Sequence, residues 1–447
     1  MAIKVGMVSL GCSKNLVDSE RMLYKLRKNG YELVTEAGLA DVVVVNTCGF
    51  IKSAKEEAIE TILELGKLKE EGTIKKIIVT GCLAERYKEE TAELFPEADA
   101  VMGIGNNRDI VDVISHVIAD ERYINFAPKL SAEMTGGRII STLPFFSYLK
   151  VAEGCSNCCT YCAIPQIRGK FRSTPIEELV KEAQWLADNG VTELVVIAQD
   201  TSRYGEDLYG KSMLPELLRQ LCRIENLKWI RTLYCYPERI TDELLETIAS
   251  EEKLVKYLEI PIQHSDGDIL KSMKRWGDEE KLENLFKHIR EKIPNVILRT
   301  TLITGFPSET QEQFNSLAEF IKRVRFDRLG CFAYSREEGT KAYDFPNQID
   351  EETANHRADI IMEQQMLISA ENNEKLINAE FEAVVEGFDR FGECYFGRTP
   401  NDAPDIDGKV FFTSETPLKI GDYVKIKITD TLDYDLIGEV IADESAE

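Results

Sequence analysis

No stretch of this 447-residue chain approaches the ~18 uninterrupted apolar residues of a membrane-spanning helix, which excludes a helical membrane protein. The N-terminus, Met1-Ala2-Ile3-Lys4-Val5-Gly6-Met7-Val8-Ser9-Leu10, lacks a positively charged leader, a long apolar segment and a cleavage site. It reads as a first strand, and a cytoplasmic location without membrane association is expected. Basic residues are in deficit as well: 54 Lys and Arg against 78 Asp and Glu leave a net charge of −24. Proteins that grip nucleic acid display a basic surface that releases counterions, and this chain is the reverse. An acidic body suits a basic partner, or keeps the protein soluble. Length and an apolar content of 43% fit two or three soluble domains, each with its own core.

Cysteine is abundant by contrast. In a reducing compartment, clustered cysteines read as metal ligands before disulfides. Four of the eleven fall in the loop Gly154-Cys155-Ser156-Asn157-Cys158-Cys159-Thr160-Tyr161-Cys162. Read as Cys155-x3-Cys159-x2-Cys162, it offers three thiolates to one inorganic cluster and leaves one iron open for a substrate or cofactor. The same residues written as Cys155-x2-Cys158 and Cys159-x2-Cys162 make a four-thiolate zinc knuckle. Adjacent Cys158 and Cys159 fit one tetrahedral centre poorly, so an iron–sulfur cluster with Cys158 as bystander is the better reading. Cys12, Cys48 and Cys82 each end an expected strand, in Ser-Leu-Gly-Cys12, Val-Asn-Thr-Cys48 and Val-Thr-Gly-Cys82. In a parallel sheet such ends line one edge, where distant residues converge. One such cysteine is usually a buried small hydrophobe; three at equivalent positions, each flanked by Gly, favour a shared ligand site.

The fold expected is α/β throughout the first three quarters. Residues 1–119 alternate short buried strands (4–10, 41–46, 75–80, 100–104) with helices, which argues for a parallel α/β domain. The first helix has Leu16, Leu23 and Leu26 on one face, with Ser13 as cap and Gly30 as stop; Ser53-x-x-Glu56 looks like a capping box for the next. Residues 120–140 read as a linker. From 141 to 371 six strands near 145–151, 192–198, 228–234, 255–262, 295–303 and 326–333 alternate with helices. These form a partial (βα)6 barrel whose site lies at the C-terminal strand ends, followed over 350–372 by a polar connector helix. Residues 373–441 change to short alternating runs, the pattern of a small antiparallel β-barrel. From residue 373 onward there are 18 acidic residues against 7 basic, a net of −11.

The barrel strand ends carry Gln199-Asp200, Tyr236-Pro237, Gln263-His264, Gly305-Phe306-Pro307 and Tyr334-Ser335. Each is weak alone, and a lone His264 is more often a hydrogen-bonded core residue than a catalyst. Together with the cysteine loop they outline a mouth for a polar cofactor.

Cys-x3-Cys-x2-Cys after the first barrel strand resembles the radical S-adenosylmethionine enzymes. The set Gly154-Cys155-x6-Cys162-Ala163-Ile164-Pro165-x2-Arg168-Gly169 with Arg172-Ser173, the three-cysteine N-terminal domain and a TRAM-like tail narrow the resemblance to methylthiotransferases. It covers essentially the whole chain. Three segments lean toward the branch that modifies an aspartate of ribosomal protein S-twelve: Gly11-Cys12-Ser13-Lys14-Asn15-Leu16-Val17-Asp18-Ser19-Glu20, Ala198-Gln199-Asp200-Thr201-Ser202-x-Tyr204-Gly205, and Asp402-Ala403-Pro404-Asp405-Ile406-Asp407-Gly408. The tRNA-modifying branch usually has Gln-Met-Asn where this chain has Ser13-Lys14-Asn15.

The resemblance implies two 4Fe–4S clusters. Cys155, Cys159 and Cys162 would hold the one that chelates and cleaves S-adenosylmethionine, and Cys12, Cys48 and Cys82 one that carries sulfur. The radical so formed would take hydrogen from the β-carbon of the target aspartate. No side chain is expected to act as an acid or base, because clusters and cofactor carry the chemistry. Tyr161, Gln199, Gln263, Arg299 and Phe306 are expected to line the cofactor pocket, while Arg168 and Arg299 also read as structural ion pairs. The expected partners are basic ribosomal protein S-twelve and an electron donor such as a flavodoxin or ferredoxin, with tRNA unlikely given the acidic tail. The alternatives are a tRNA adenosine methylthiotransferase and, from another class, a non-catalytic iron–sulfur or zinc protein that binds RNA or transfers electrons.

Overall fold

The computed structural model describes residues 2–441. Its first sheet contains β1 (Lys4–Ser9), β2 (Glu32–Val34), β3 (Val42–Thr47), β4 (Lys76–Gly81), β5 (Ala100–Met102) and β6 (Tyr123–Asn125). The strands are all parallel in the order β2-β1-β3-β4-β5-β6. Central β3, Val-Val-Val-Val-Asn-Thr, is buried along its whole length, as a parallel strand covered on both faces should be. The two edge strands are additions to the expected four. Each is three residues long and partly exposed, so neither leaves an apolar run to read, and β6 falls inside the expected linker.

Helices α1 (Ser13–Lys28), α2 (Lys52–Glu70) and α3 (Cys82–Tyr87) follow β1, β3 and β4. Neither expected cap forms. The N-cap of α1 is Cys12, and Ser13 is already helical. The N-cap of α2 is Ile51, and its exposed Lys52 N–H donates 3.4 Å to Ser335 Oγ from the barrel, so a partner across the interface replaces a local box. Leu16 and Leu23 are only half-buried; Val17, Met22 and Leu26 carry the apolar packing of α1. The other face of α1 buries Lys14, Asn15, Asp18, Ser19, Glu20 and Arg21. A solvent-facing helix would turn such residues to water.

That polar face docks on the second unit. There β7 (Phe146–Lys150), β10 (Glu193–Ile197), β11 (Trp229–Thr232), β12 (Leu254–Glu259), β13 (Ile297–Thr304) and β14 (Arg328–Ala333) form an open, fully parallel sheet. Its order, β14-β13-β12-β11-β10-β7, follows the sequence, so each crossover advances one strand as in a (βα)6 partial barrel. A two-stranded ribbon of β8 (Ala152–Glu153) and β9 (Arg172–Ser173) brackets the cysteine loop. The helix Glu351–Glu374 is less solvent-facing than its polar sequence suggests: Ile361 and Ile368 join the barrel core, and Gln365 Nε2 donates 2.9 Å to Phe326 O.

The tail closes into a five-stranded barrel of β15 (Glu380–Asp389), β16 (Cys394–Arg398), β17 (Val410–Thr413), β18 (Tyr423–Thr431) and β19 (Leu436–Val440). All its pairs are antiparallel except β17 with β19. The end of β16 and the segment that follows it plug the open sheet, and every strand of that sheet contributes one polar residue to the contact. Tyr148 OH donates to Asp405 Oδ2 at 3.1 Å and Tyr257 OH to Asp407 Oδ2 at 2.6 Å. Arg299 Nε donates to Asp407 Oδ1 at 3.2 Å, Arg328 Nη2 to Asp402 Oδ1 at 2.8 Å and Arg231 Nη1 to Pro400 O at 3.0 Å. Glu193 accepts from Arg398 Nη2 at 2.6 Å.

Glu193 is fully buried, which alone would raise its pKa; Arg398 and Arg231 outweigh burial and hold it below the ordinary carboxylate value. Stability from this group is present above its unfolded value of about 4.3 and is lost as pH falls through the lower folded value. Glu193→Gln is expected to lower the unfolding midpoint at pH 7, since breaking a buried pair costs about 3–5 kcal/mol. It should also flatten the acid-side fall of the midpoint between pH 7 and 3. An unchanged acid-side slope would assign that slope to other carboxylates.

Candidate functional site

Strands β1, β3 and β4 are neighbours in register, with Ser9 beside Asn46 and Asn46 beside Thr80. Their C-terminal ends therefore bring together Cys12, Cys48 and Cys82, which follow the three strands directly. Close approach depends on glycine. Gly11 has φ +84°, and a Cβ there would lie 2.7 Å from Cys48 Cβ and 2.8 Å from its Sγ. A paired amide lock holds the start of α1: Asn15 Nδ2 donates to Asn46 O at 3.0 Å, and Asn46 Nδ2 returns to Asn15 O at 2.9 Å. Arg168 acts on all three thiols, and Cys12 on the other two. Burial pushes Cys82 up to about 12 and also raises Cys48. At Cys12 crowding alone would raise the pKa, but Lys14 and then Arg168 outweigh it and lower the thiol, whose edge stays open to solvent.

The second set lies in the loop after β8. Gly154 turns the chain at φ +74°, where a Cβ would sit 2.4 Å from Lys170 O, and Cys155 N–H donates 3.0 Å to Gly169 O. Thr160 fastens the far side, its N–H donating 3.1 Å to Met273 O and its Oγ1 2.9 Å to Ser272 O. Cys155 and Cys159 are buried and Cys162 partly so, while Cys158 is exposed at φ +54°. Burial, then the neighbouring Cys159, raises Cys162, and burial pushes Cys155 up to about 11. The donor set suits iron–sulfur ligation: three soft thiols share a buried space and the fourth faces outward. Among the described residues no three His, Cys, Asp or Glu side chains converge tightly enough to hold a single metal ion.

The two cysteine sets meet through the helix Ile164–Arg168 that follows Cys162. Cys82 packs with Ala163 and Ile167 from its start and middle. At its end Arg168 Nη2 lies 3.6 Å from Cys82 Sγ and donates 3.1 Å to Asn15 Oδ1. Arg168 Nη1 donates 2.8 Å to Asp18 and 3.2 Å to Glu153, which also receive Lys150 Nζ. Arg168 is thus an ion-pair residue, as read, and a neighbour of a thiol as well.

At the barrel mouth Gln263 holds φ +73°, fixed by Gln263 N–H to Thr301 O at 2.9 Å and Ile303 N–H to Gln263 O at 2.8 Å. Tyr161 and Phe306 share one apolar cluster with Ile269, Met273, Ile303 and Tyr334, and Phe306 is fully buried within it. Gln199 is half-buried beside Asp200, which accepts from Asn157 of the cysteine loop at 2.8 Å. Arg299 stands apart: its donors go to Asp407 and, at 3.3 Å, to Glu259, so it serves the plug rather than an open pocket. His264 is a satisfied core residue. Asp266 N–H donates to its Nδ1, so Nε2 carries the proton and faces Glu309 at 3.1 Å.

Two cations were not singled out from the sequence. Arg275 is nearly buried, stacks 3.9 Å over the Tyr236 ring and reaches Cys159 Sγ at 4.0 Å. It sits past a short helix with no motif to mark it. Lys14 is 4% exposed, with Nζ 3.1 Å from the Tyr234 ring centroid. A desolvated cation–π contact is worth about 2 kcal/mol, against a burial cost of several kcal/mol per ion.

Residues 4–103 match uncharacterized protein family UPF0004, residues 149–321 the radical SAM superfamily and residues 378–441 the TRAM domain. The ribosomal protein uS12 methylthiotransferase RimO of Acetivibrio thermocellus is 47% identical over 453 residues, covering 100% of both chains. The protein of the same name from Desulforamulus reducens is 48% identical over 439 residues, covering 98% of this chain and 99% of its own. Among solved structures, the radical S-adenosylmethionine methyltransferase TsrM of Kitasatospora setae, with cobalamin and a 4Fe-4S cluster bound, matches with TM-score 0.56. It covers 85% of this chain and 79% of its own at 14% identity. The cobalamin-dependent radical enzyme OxsB matches with TM-score 0.52 at 12% identity, over 82% of this chain and 56% of its own. At such identities the likeness is one of fold.

In the metal-free protein, iodoacetamide at pH 8 should label exposed Cys158 before Cys155, whose thiol near 11 leaves on the order of a thousandth as thiolate. Peptide mass spectrometry over a time course reads the order. Earlier labelling of Cys155 would refute the placement of Cys158 as the outward thiol.

Proposed function

The chain belongs to the RimO family of ribosomal protein uS12 methylthiotransferases, and from that premise we propose how its residues divide the reaction between two cysteine sites. It is a radical SAM transferase that modifies uS12, the S-twelve protein of the small ribosomal subunit. In the proposed division Cys155, Cys159 and Cys162 hold the 4Fe–4S cluster at which S-adenosylmethionine binds. Cys12, Cys48 and Cys82 hold a second 4Fe–4S cluster that carries sulfur. With S-adenosylmethionine bound, the first supplies one-electron cleavage and a carbon radical able to take hydrogen from an unactivated C–H bond. The observation that carries this reading is the helix Ile164–Arg168, which starts at one cysteine set and ends 3.6 Å from a thiol of the other.

The protein's own residues orient and enclose. Tyr161, with Phe306 packed in the same cluster, is proposed to form an apolar wall for the adenine. Gln263, in its left-handed conformation at a strand end, and Gln199 present amides to polar groups of the cofactor. Arg275 places positive charge beside Cys159, where a thiolate develops once metal binds. Arg299 is proposed to act indirectly, by holding Glu259 and the plug. The β-carbon of the target aspartate would lie where the two sites face each other.

The acidic tail supports a basic protein partner over a nucleic acid, since a net of −11 beyond residue 373 repels phosphate and attracts a basic chain. Among the described residues no helix is long and apolar enough to cross a membrane. A cytoplasmic location and a flavodoxin- or ferredoxin-like electron donor complete the proposal.

Two measurements test it. Mass spectrometry of uS12 from cells with and without this gene should find a methylthio group on one aspartate only when the gene is present; product confined to tRNA overturns the substrate. After anaerobic reconstitution, about eight irons per chain are expected for two 4Fe–4S clusters. Replacing Cys155, Cys159 and Cys162 together by Ala should remove about half the iron and all S-adenosylmethionine cleavage. Loss of all the iron would merge the two sites into one.

A further inference from the structure

Two lysines are buried at the junction of the two units, and they are treated differently. Lys150 is met by Asp18 and Glu153. Lys14, equally buried, has no hydrogen-bond acceptor or carboxylate within bonding distance of Nζ among the described residues; its contact is the Tyr234 ring face. Ser13 Oγ, next in the chain, is also buried without a hydrogen-bond partner. An ammonium withheld from water with no acceptor in hydrogen-bond reach is costly; Glu259 acts on it only at longer range, and a ligand of opposite charge would complete it.

Its place in the fold identifies the kind of ligand. Lys14 lies in the first turn of α1, where unpaired backbone N–H groups and the helix dipole add further positive character. Two residues earlier is Cys12 of the sulfur site. Across from it, Tyr234 follows β11 and donates its N–H 3.0 Å to Glu259 Oε2 at the end of β12, both at the barrel mouth. Lys14 therefore stands on the boundary between the sulfur-site edge and the mouth. Other charged groups facing this boundary are engaged: Glu259 by Arg299 and Tyr234, and Arg275 by Pro261 O and the Tyr236 ring.

We propose that Lys14, with Ser13 Oγ beside it, binds the side-chain carboxylate of the target aspartate and so selects the residue that is methylthiolated. The proposal rests on the uS12 aspartate reading. In aspartate the carboxylate is attached directly to the β-carbon, so each of its oxygens lies two bonds from the atom that loses hydrogen and gains sulfur. That carbon must reach both cysteine sites, which confines the carboxylate to their boundary, where Lys14 is, among the described residues, a buried cation with no hydrogen-bonded carboxylate. A neutral adenosine base offers this cation no carboxylate.

The test compares reconstituted wild-type holoenzyme with Lys14→Met and Lys14→Arg, each titrated with uS12 carrying Asp or Asn at the target position. Lys14→Met is expected to raise the Kd for the Asp form about 10- to 100-fold, the worth of a charge-assisted hydrogen bond. Wild type should already bind the Asn form more weakly, and Lys14→Met should weaken that form no further, because the two changes remove the same interaction. Lys14→Arg should restore most of the affinity for the Asp form. Equal weakening of Asp and Asn forms, loss of iron from Lys14→Met, or a raised S-adenosylmethionine requirement instead of a raised uS12 Kd would each overturn the assignment. Wild-type enzyme that leaves uS12 unmodified and methylthiolates tRNA would remove the function reading itself, an outcome visible before any Lys14 variant is measured.

Discussion

The buried charges along α1 fix the distance between the two cysteine sites, and the rest of the molecule is arranged around that constraint. Glu20 is wholly buried and receives Arg138 Nε at 3.0 Å together with Ser141 N–H and Oγ at 2.8 Å each. Arg138 also donates 2.8 Å to Glu182, which accepts Arg21 at 3.2 Å. Two residues before Glu20, Asp18 is shared by Lys150 and Arg168. Desolvating this many ions costs several kcal/mol each, so the network adds little net stability over an apolar interface. Its contribution is directional. An apolar face tolerates sliding, whereas a shifted α1 would leave several charges buried and unpaired at once, so a single docking position satisfies them all.

The opposite end of the barrel is held by the same logic with different residues. A six-stranded parallel sheet leaves an open seam that an eight-stranded barrel would not have. The end of β16 and the segment that follows it bond to each of the six strands. The closed tail barrel is therefore attached through the plug to the interior of the sheet, not hinged on a flexible linker. The tail barrel is in this way carried at a fixed orientation to the open sheet.

What could be read from the sequence follows from how local each determinant is. Cys12, Cys48 and Cys82 were legible because parallel strands put their C-terminal ends on one edge whatever the rest of the chain does. The loop at Cys155 was legible from spacing alone. The caps read at Ser13 and Ser53 do not form: at α1 the N-cap is Cys12 with no side-chain cap bond, and at α2 Ser335 from across the interface meets the N–H of Lys52. The polar face of α1 carries the pattern of a solvated helix, and only the docked barrel reveals it as core. Arg138 lies in a stretch with almost no periodicity, yet is among the largest fully buried side chains. Asp402, Asp405 and Asp407 show no structural role in the sequence because their barrel partners, on four strands, are 74 to 257 residues away.

Arg168 links the docking network to the site of Cys12, Cys48 and Cys82, and this has consequences for how the sites are assembled. The same guanidinium that closes the charges of Asp18 and Glu153 lies beside Cys82 and bonds Asn15 at the start of α1. Its charge is needed on both sides: it neutralises carboxylates that docking removes from water, and it favours the thiolate form that a metal requires. Without docking, Cys82 would lose a cation that offsets its burial, since burial alone drives that thiol upward. Ligand readiness at the first site is thus tied to correct seating of the helix that follows the second. The two halves of the reaction are held in register by one side chain that belongs to both.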